Sequence, residues 1–352
     1  MAVKPKATPT ADTLPCPPDQ VDDFLSQPSD KVRKVLSRTP GPVLVLGAGG
    51  KIGLHLCLMI RRAFDSLGRH DEVVAVSRFR TLRDSKIFTQ RGVKTFVGDL
   101  EDQACLSALP DAPTVFFLAG VKFGTATAPH LLKKTNMDMP RHVAERFRRA
   151  RIVAFSSGCV YPFMRPESGG ATEETLPSPV GAYAASCLAR ENAFASVATR
   201  QGTAVALIRL NYAVEFRYGL LVDIAQRVLR GEPVDVGMGH VNAIWQTDAI
   251  SYSIQALDLA KSPAALVNIT GAEILSVRAL AQRFGELLGR TVHFVGEEAD
   301  TAWLNNATRC HRLFGSPPTS VETMMTWIAA WLRQGGATWG KPTGFERRDG
   351  QY

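Results

Sequence analysis

The sequence has no apolar run long enough to cross a membrane. In a chain of 352 residues, the apolar stretches are short, such as those at 43–46, 73–76 and 115–119. Each is far shorter than the roughly 18 residues that a transmembrane helix needs. The first twenty residues are rich in proline and contain no apolar segment of about 7–15 residues, so no secretory signal is expected. These absences predict a cytoplasmic protein without a membrane partner.

Cysteine is sparse and shows no metal-binding spacing. The chain contains six cysteines, with no CxxC pair and no Cys/His cluster of the kind that holds zinc. They lie far apart, at positions 16, 57, 105, 159, 187 and 310. We therefore expect reduced thiols and no metal.

A concentrated basic patch is also missing, although the formal net charge is +8. The basic residues are scattered, without the interleaved aromatic residues that are typical of nucleic-acid binding, so no nucleic-acid partner is expected. Two explanations of the charge stay open. One is an anionic small-molecule ligand, and the other is a generally basic surface.

Short apolar runs alternate with segments of helical pattern over the first two thirds of the chain. Hydrophobic residues make up 45% of the sequence, enough for a sizeable core. Short runs rich in Val, Ile and Phe that alternate with helices indicate a parallel sheet covered on both faces. The predicted strands are 43–46, 73–76, 95–97, 115–118, 152–155 and 204–210. The predicted fold class is therefore α/β, a doubly wound parallel sheet of Rossmann type.

The predicted domain organisation has three parts. Residues 1–20 are expected to be a disordered tail, and residues 21–235 to be a dinucleotide-binding domain with a leading helix. Residues 236–352 read as a smaller substrate-binding region. Because strand 204–210 still belongs to the main sheet, we expect the two folded regions to interleave.

A glycine-rich turn follows the first predicted strand. Gly47, Gly50 and Gly53 have the spacing of a dinucleotide-binding loop, and Lys51 and Ile52 stand between the last two. Glycines at these positions permit a tight turn, the approach of backbone to a pyrophosphate, and close packing of helix on strand. The strand before the turn and the helix after it are the context that this motif requires. The sequence therefore predicts a nucleotide site here.

The end of the second strand bears on the choice of coenzyme. An NAD site usually has Asp or Glu here to accept from the ribose 2′-hydroxyl, whereas a 2′-phosphate calls for arginine. This chain has Ser77 and Arg78, and Lys51 adds positive charge. NADP is therefore predicted, and NAD is the less favoured coenzyme.

Further motifs follow in a fixed order. Gly98-Asp99-Leu100 follows the third strand, Leu118-Ala119-Gly120-Val121-Lys122 follows the fourth, and Asn136 lies in the next helical segment. Phe155-Ser156-Ser157-Gly158-Cys159-Val160-Tyr161 ends the fifth strand, and Tyr183, Ser186 and Glu191 follow on a predicted helix. In this order and spacing, from about residue 43 to residue 332, the sequence resembles the NAD(P)-dependent epimerase/dehydratase family of extended short-chain dehydrogenases.

The resemblance implies roles for these residues. Asp99 and Leu100 would contact the adenine, Ala119, Gly120 and Lys122 would lie under the cofactor, and Asn136 and Tyr183 would complete its site. Ser157 and Tyr183 would bind the reacting oxygen. The family also pairs the helices around residues 133–149 and 182–198 with their two-fold mates, which implies a homodimer.

The sequence departs from the family on the catalytic helix. Cys187 stands where the "YxxSKxxxE" pattern has lysine, four residues after Tyr183 and so on the same helix face. In the family, the lysine binds the nicotinamide ribose and lowers the pKa of the tyrosine. Three accounts stay open. Lys122 supplies the charge, Tyr183 works as a general acid that needs no lowered pKa, or the protein binds the cofactor without turnover.

The residues predicted to surround the substrate disfavour two subclasses of the family, the dehydratases and the nucleotide-sugar enzymes. Gly158 and Cys159 replace the Asp-Glu pair of the family's dehydratases, and the stretch 239–248 lacks the arginine that holds a nucleotide-sugar pyrophosphate. Asn211, Trp245 and Gln246 would suit a small polyol or sugar acid, with Arg217 as the candidate partner of a carboxylate.

The predicted function is that of an NADP(H)-dependent oxidoreductase or epimerase acting at a secondary alcohol or ketone of a small polyhydroxylated substrate. Two alternatives stay open. One is a non-catalytic NADP-binding sensor or scaffold, and the other is a nucleotide-sugar epimerase.

Overall fold

The computed structural model describes residues 13–80, 84–122 and 129–350. Residues 1–12 of the predicted tail lie outside the described residues. The prediction of disorder is wrong for residues 13–20, because Pro18–Gln20 form a turn of 3₁₀ helix. The side chains of Leu14 and Cys16 pack against a hydrophobic cluster of the C-terminal region, which gives this stretch an apolar anchor.

The strands bear out the predicted parallel sheet. They are β1 (Val43–Leu46), β2 (Val73–Ser77), β3 (Lys94–Val97), β4 (Thr114–Phe117), β5 (Arg151–Ser157), β6 (Val205–Leu210), β7 (Ala213–Val214), β8 (Val234–Asp235), β9 (His240–Val241), β10 (Ile244–Trp245), β11 (Ala265–Ile269), β12 (Leu275–Ser276) and β13 (Phe294–Val295). Seven of them form the central sheet in the order β11-β6-β5-β4-β1-β2-β3, with every pair parallel. The order reverses between β1 and β4, and ligands of open α/β sheets bind at such a switch point.

Helices cover both faces of the sheet. They are α1 (Val21–Leu25), α2 (Asp30–Leu36), α3 (Gly53–Ser66), α4 (Lys86–Thr89), α5 (Gln103–Ala108), α6 (Pro129–Leu131), α7 (Met139–Arg146), α8 (Gly181–Gln201), α9 (Leu220–Arg230), α10 (Gln246–Gln255), α11 (Val277–Leu288), α12 (Thr308–Phe314) and α13 (Val321–Arg333). A π-helical stretch, Leu132–Asp138, joins α6 to α7. Short 3₁₀ turns occur at Gly158–Val160, Pro166–Ser168 and Ala256–Leu259.

The core has one hydrophobic cluster on each face of the sheet. Helices α3 and α10 pack on one face, and α7 and α8 pack on the other. Strand β1 contributes to both clusters because it is buried along its whole length, which explains its unbroken apolar run.

The C-terminal region is built on a third cluster, formed by α9, α11 and α13. Three two-stranded sheets accompany it: β10 with β7, β12 with β9, and β13 with β8. Strand β11, which lies in the C-terminal third of the chain, nevertheless pairs with β6 in the central sheet. The chain therefore returns to the central sheet after it has begun the smaller region.

Within the described part of the chain, no helix is both long and apolar enough to span a bilayer.

Candidate active site

The glycine turn after β1 is shaped by contacts that exclude side chains. Gly47 has φ +89°, and a Cβ there would lie 2.5 Å from the backbone nitrogen of Ala119. A Cβ on Gly53 would lie 2.3 Å from the carbonyl oxygen of Ala48. The amide of Gly47 donates to Val76 O at 2.9 Å, which fixes the turn to β2. The turn is therefore tight, and its backbone is bare at the carboxyl edge of the sheet.

A cavity of about 400 Å³ opens beside this turn, and we call it the glycine-loop cavity. Eight of the residues predicted to bind the cofactor line it: Gly47, Gly50, Ser77, Arg78, Asp99, Leu100, Ala119 and Gly120. Sequence reasoning missed Phe79, Arg80 and Thr135, which also line it. A groove of bare glycine backbone that runs from β1 to Arg78 and Asp99 fits the pyrophosphate and adenosine of a dinucleotide.

Arg78 and Asp99 face each other at the outer end of this cavity. The Arg78 guanidinium nitrogen lies 3.6 Å from Asp99 Oδ2, and about half of each side chain is exposed. Exposed pairs of this kind contribute about 0–1 kcal/mol, so a bound phosphate can compete for the arginine.

A second cavity, of about 250 Å³, lies at the ends of β5 and β6, and we call it the tyrosine cavity. Seven predicted site residues line it: Lys51, Ile52, Lys122, Ser157, Tyr183, Asn211 and Gln246. The structure therefore brings Ser157 and Tyr183 to the same cavity. Cys159, Tyr218, Trp303 and Thr343 also line it and were not predicted.

Two non-glycine residues of the described chain have a left-handed backbone, and each lines one of the cavities. Phe79, with φ 50°, lies in the glycine-loop cavity, and Tyr212, with φ 43°, lies in the tyrosine cavity. A bulky residue in this conformation is strained by about 1–3 kcal/mol, and such strain concentrates at functional sites.

Helix α8 is held against the sheet by a buried ion pair. Arg209 of β6 donates from Nε and NH2 to the two carboxylate oxygens of Glu191, at 2.9 and 2.7 Å. Ser156 Oγ donates to the same carboxylate at 2.5 Å. This bidentate arrangement fixes the helix that carries Tyr183 relative to the strand that carries Ser157.

Asn136 and Gly53 act behind the cavities rather than in them. Asn136 is fully buried, accepts from Val121 N at 2.9 Å and donates to Val121 O at 2.8 Å and Ser186 Oγ at 2.9 Å. Its amide is therefore engaged by protein groups, and it holds the segment that leads to Lys122. Gly53 packs on Ala48 and lines neither cavity.

Lys122 lies beside the predicted catalytic tyrosine. Its ammonium nitrogen is 5.8 Å from the centroid of the Tyr183 ring and donates to Thr343 O at 3.1 Å. Burial lowers the pKa of Lys122 to about 8. Burial raises the pKa of Tyr183 well above its usual value, so the phenol is protonated at neutral pH.

Cys187 is fully buried beneath Tyr183, with a second thiol beside it. A hydrogen bond with Cys159 holds the pKa of the Cys187 thiol below its usual range, and the Arg190 guanidinium acts in the same direction. Arg190 is also buried, donates to Phe155 O at 3.2 Å and leaves its Nε without a hydrogen-bond partner among the described residues. A Cβ on Gly120 would lie 2.3 Å from Arg190 NH2, so this guanidinium requires glycine there.

Two of the predicted substrate residues lie away from the tyrosine cavity. The Trp245 ring is 1% exposed and packs edge-on against Phe216, at 5.0 Å between centroids. It lies in an aromatic cluster of the core. The guanidinium of Arg217 is paired with Glu215 at 3.1 Å and Asp22 at 2.8 Å. The expectation that these two side chains line the substrate site is wrong, because Trp245 packs in the hydrophobic core and Arg217 pairs with carboxylates of the protein.

Lys51 also differs from its predicted position. It was expected to add charge near the 2′-phosphate beside Arg78, but its side chain lines the tyrosine cavity instead. Its ammonium nitrogen lies 3.2 Å from the centroid of the Tyr218 ring. The glycine turn directs this side chain away from β2, which its position in the sequence does not reveal.

No cluster of three or more His, Cys, Asp or Glu side chains within residues 13–80, 84–122 and 129–350 has the geometry to hold a metal ion.

The strand order, the glycine turn and the two adjoining cavities define a dinucleotide-binding protein of Rossmann type. The chain belongs to the NAD dependent epimerase/dehydratase family, whose model matches residues 43–237. No curated protein matches the chain significantly.

Solved structures share the fold. MoeE5 in complex with UDP-glucuronic acid and NAD is 24% identical, with a TM-score of 0.68 over 84% of this chain and 100% of that one. UDP-glucuronic acid 4-epimerase from Bacillus cereus, in complex with NAD, is 18% identical, with a TM-score of 0.69 over 83% of this chain and 98% of that one. UDP-glucose 4-epimerase from Thermotoga maritima, with UDP-glucose, is 18% identical, with a TM-score of 0.68 over 83% and 99%.

Proposed function

We propose that the protein is a nicotinamide dinucleotide-dependent oxidoreductase or epimerase that acts at a secondary alcohol or ketone of a small polyhydroxylated substrate. The observation that carries the proposal is the tyrosine cavity, where Ser157, Tyr183 and Lys122 meet next to a cavity shaped for a dinucleotide. Family membership supports the cofactor class.

The side chains of this cavity have complementary tasks. When bound, the nicotinamide exchanges a hydride with the reacting carbon. The Ser157 and Tyr183 hydroxyls would hold the reacting oxygen, and the Tyr183 proton would pass to that oxygen as a ketone becomes an alcohol. The Lys122 ammonium would then stabilise the negative charge left on the phenol oxygen. This arrangement favours the account in which Lys122 supplies the charge that Cys187 lacks.

Coenzyme choice rests on the end of β2. Two of the three solved structures described above contain NAD, so similarity to them favours NAD. In this chain, however, Ser77 and Arg78 line the glycine-loop cavity where an NAD site would have an acidic side chain. We therefore propose that NADP binds more tightly than NAD.

The proposed substrate is small because the tyrosine cavity is small. Its volume of about 250 Å³ suits a single sugar-sized molecule better than a nucleotide sugar. In the stretch that lacks the expected arginine, Asn242 donates to Glu273 O and accepts from Asn305 N, so it serves the fold. The UDP-sugars of the solved relatives still make a nucleotide-sugar epimerase the second enzymatic candidate.

The second candidate function is that of a cofactor-binding protein without catalytic activity. The observation that favours it is Cys187, which puts a buried thiol where the family has its lysine. Incubation of the protein with NADP or NAD and a panel of sugars, keto-sugars and sugar acids distinguishes the two. Reduced nicotinamide is followed by absorbance, and epimers are followed by NMR. An enzyme changes at least one substrate, whereas a sensor binds the nucleotide and changes none.

The proposed assembly is a homodimer through α7 and α8, which pack side by side and are joined by hydrogen bonds from Arg200 and Gln201 to Glu145. Light scattering that gives a mass near 38.3 kDa, the mass of one chain, would contradict it.

A further inference from the structure

The tyrosine cavity is positively charged. Two lysines, Lys51 and Lys122, line it, and none of the described residues in its lining is a carboxylate. Lys51 also precedes Ile52, the N-cap residue of α3, a helix of 14 residues whose N-terminus adds positive potential. A cavity with this lining is electrostatically complementary to an anion.

Burial disfavours the charged forms of Lys51 and Lys122, and a bound anion would offset this effect. Burial, which has the largest effect, and the neighbouring Lys122 together lower the pKa of Lys51 to about 7. The Asp223 carboxylate raises the pKa of Lys51, and it accepts from Thr343 N at 2.7 Å and from Thr343 Oγ1 at 2.6 Å. A carboxylate brought in by a ligand would therefore favour the charged form of both lysines.

A residue of the cavity lining also carries a neutral donor. Trp303 is 2% exposed and lines the cavity. Its indole nitrogen is buried and has no hydrogen-bond partner among the described residues. Because buried donors are nearly always satisfied, this N–H is open to an acceptor that the described residues do not supply.

The C-terminal residues complete the cavity and hold both lysines. Trp339 stacks on Tyr218 with ring centroids 5.8 Å apart and an interplanar angle of 24°, and the other partner of Tyr218 is the Lys51 ammonium. Thr343 accepts from Lys122 through its carbonyl oxygen and is fixed by Asp223. The segment 338–343 therefore fixes the position of each ammonium group.

We infer that the tyrosine cavity binds the carboxylate of a small polyhydroxylated acid, with Lys51 as the residue that pairs with it. The inference rests on the proposed function and deepens it by naming the substrate class. Lys122 lies against Tyr183 and would therefore act where the reacting oxygen binds. Lys51 lies on the Tyr218 side of the cavity. A sugar acid could then place its carboxylate at Lys51 and its reacting carbon at Tyr183.

Calorimetric titration of the full chain, saturated with NADPH, tests this assignment. The probes are D-glucuronate against D-glucose and D-galacturonate against D-galactose, with malonate as a simple dicarboxylate. Each acid should bind at least tenfold more tightly than its neutral partner, and malonate should compete with the acids. Lys51→Met should remove the preference for acids, and Lys51→Arg should restore most of it.

Two further variants separate a local effect from a general one. Trp339→Ala leaves Lys51 in place but removes the support of Tyr218, and it should weaken binding of the acids two- to fivefold. Lys86→Met removes an exposed lysine on α4 and should change nothing. Equal binding of acids and neutral partners by the unmodified protein, or an acid preference that survives in Lys51→Met, would overturn the inference. Failure to bind either nicotinamide dinucleotide would instead overturn the proposed function.

Discussion

The ammonium nitrogen of Lys122 lies 5.8 Å from the centroid of the Tyr183 ring, and the fully buried thiol of Cys187 lies on the same helix as that tyrosine. The two side chains come from different elements, the segment after β4 and helix α8, and meet in the tyrosine cavity. A positive charge is therefore available beside Tyr183 from a neighbouring strand end.

Lys122→Ala should lower kcat by about 100-fold or more, because the phenolate left by proton transfer loses its cation. Binding at the glycine-loop cavity should persist, since Lys122 does not line it. The control is Lys86→Ala, which removes an exposed lysine that lines neither cavity. Unchanged turnover in Lys122→Ala would contradict the proposed role of Lys122 and would mean that Tyr183 acts without this cation.

The pH dependence of turnover should report the same lysine. Because burial lowers the pKa of Lys122 to about 8, the ammonium is present below that pH and is lost above it. Activity should therefore fall as the pH rises through about 8. A pH–rate profile that stays flat from pH 7 to roughly two units higher would argue against a role for this ammonium.

Cys187→Lys tests whether the site has compensated for the lost lysine. If Lys122 fills the role, a second ammonium in the same buried site adds like-charge repulsion, so kcat should fall. If instead the native protein lacks activity only because the helix lysine is missing, the variant should gain dehydrogenase activity. Cys187→Ser is the matched control, since it changes the thiol and adds no charge.

Arg78→Ala should weaken NADP binding by about 1.5–3 kcal/mol, the range for a hydrogen bond to a charged group, and leave NAD binding nearly unchanged. Arg80→Ala, which alters a second arginine of the same cavity, is the comparison. Fluorescence titration with both coenzymes measures this. Equal affinity of the unmodified protein for NAD and NADP would contradict the proposed preference.

Comparison of Gly47→Ala with Gly68→Ala distinguishes the effect of backbone strain from that of a steric clash with the new Cβ. Both glycines have positive φ, +89° and +66°, and alanine costs about 1–2 kcal/mol in that conformation. Only Gly47 also has backbone 2.5 Å from the new Cβ, whereas Gly68 has nothing within 4 Å. Thermal unfolding and nucleotide titration should therefore show a larger stability loss and a loss of binding for Gly47→Ala alone. Equal effects would mean that the close approach to Ala119 does not matter.

The sequence predicted the central sheet well because its strands are short and most of them are apolar and buried on both faces, as β1 and β4 are. It did not predict β11, because Asn268 interrupts the apolar run there. That side chain is fully buried and accepts from Tyr161 Oη at 2.9 Å, a pairing between distant segments. Local pattern contains no information about such a partner.

Among the site residues, the motif positions were predictable and the side-chain directions were not. Lys51 belongs to the glycine turn, yet its ammonium points to Tyr218, and Trp245 is polar enough for a site but packs in the core. The contribution of Thr343 was missed altogether, because the stretch after α13 is rich in Gly and charged residues and resembles a tail. Only tertiary contacts show that it closes the cavity.

Tyr183 is proposed to transfer a proton at a carbon that the nicotinamide oxidises or reduces. Single-turnover measurement of reduced nicotinamide with the tightest-binding sugar acid or keto-sugar, for the unmodified protein and for Tyr183→Phe, tests this proposal directly. The reduced nicotinamide should form or disappear in the unmodified protein, and the rate should be lower by about 100-fold or more in Tyr183→Phe, with coenzyme affinity retained. A protein that binds the coenzyme and never changes its redox state, or a Tyr183→Phe variant that reacts at the original rate, would contradict it.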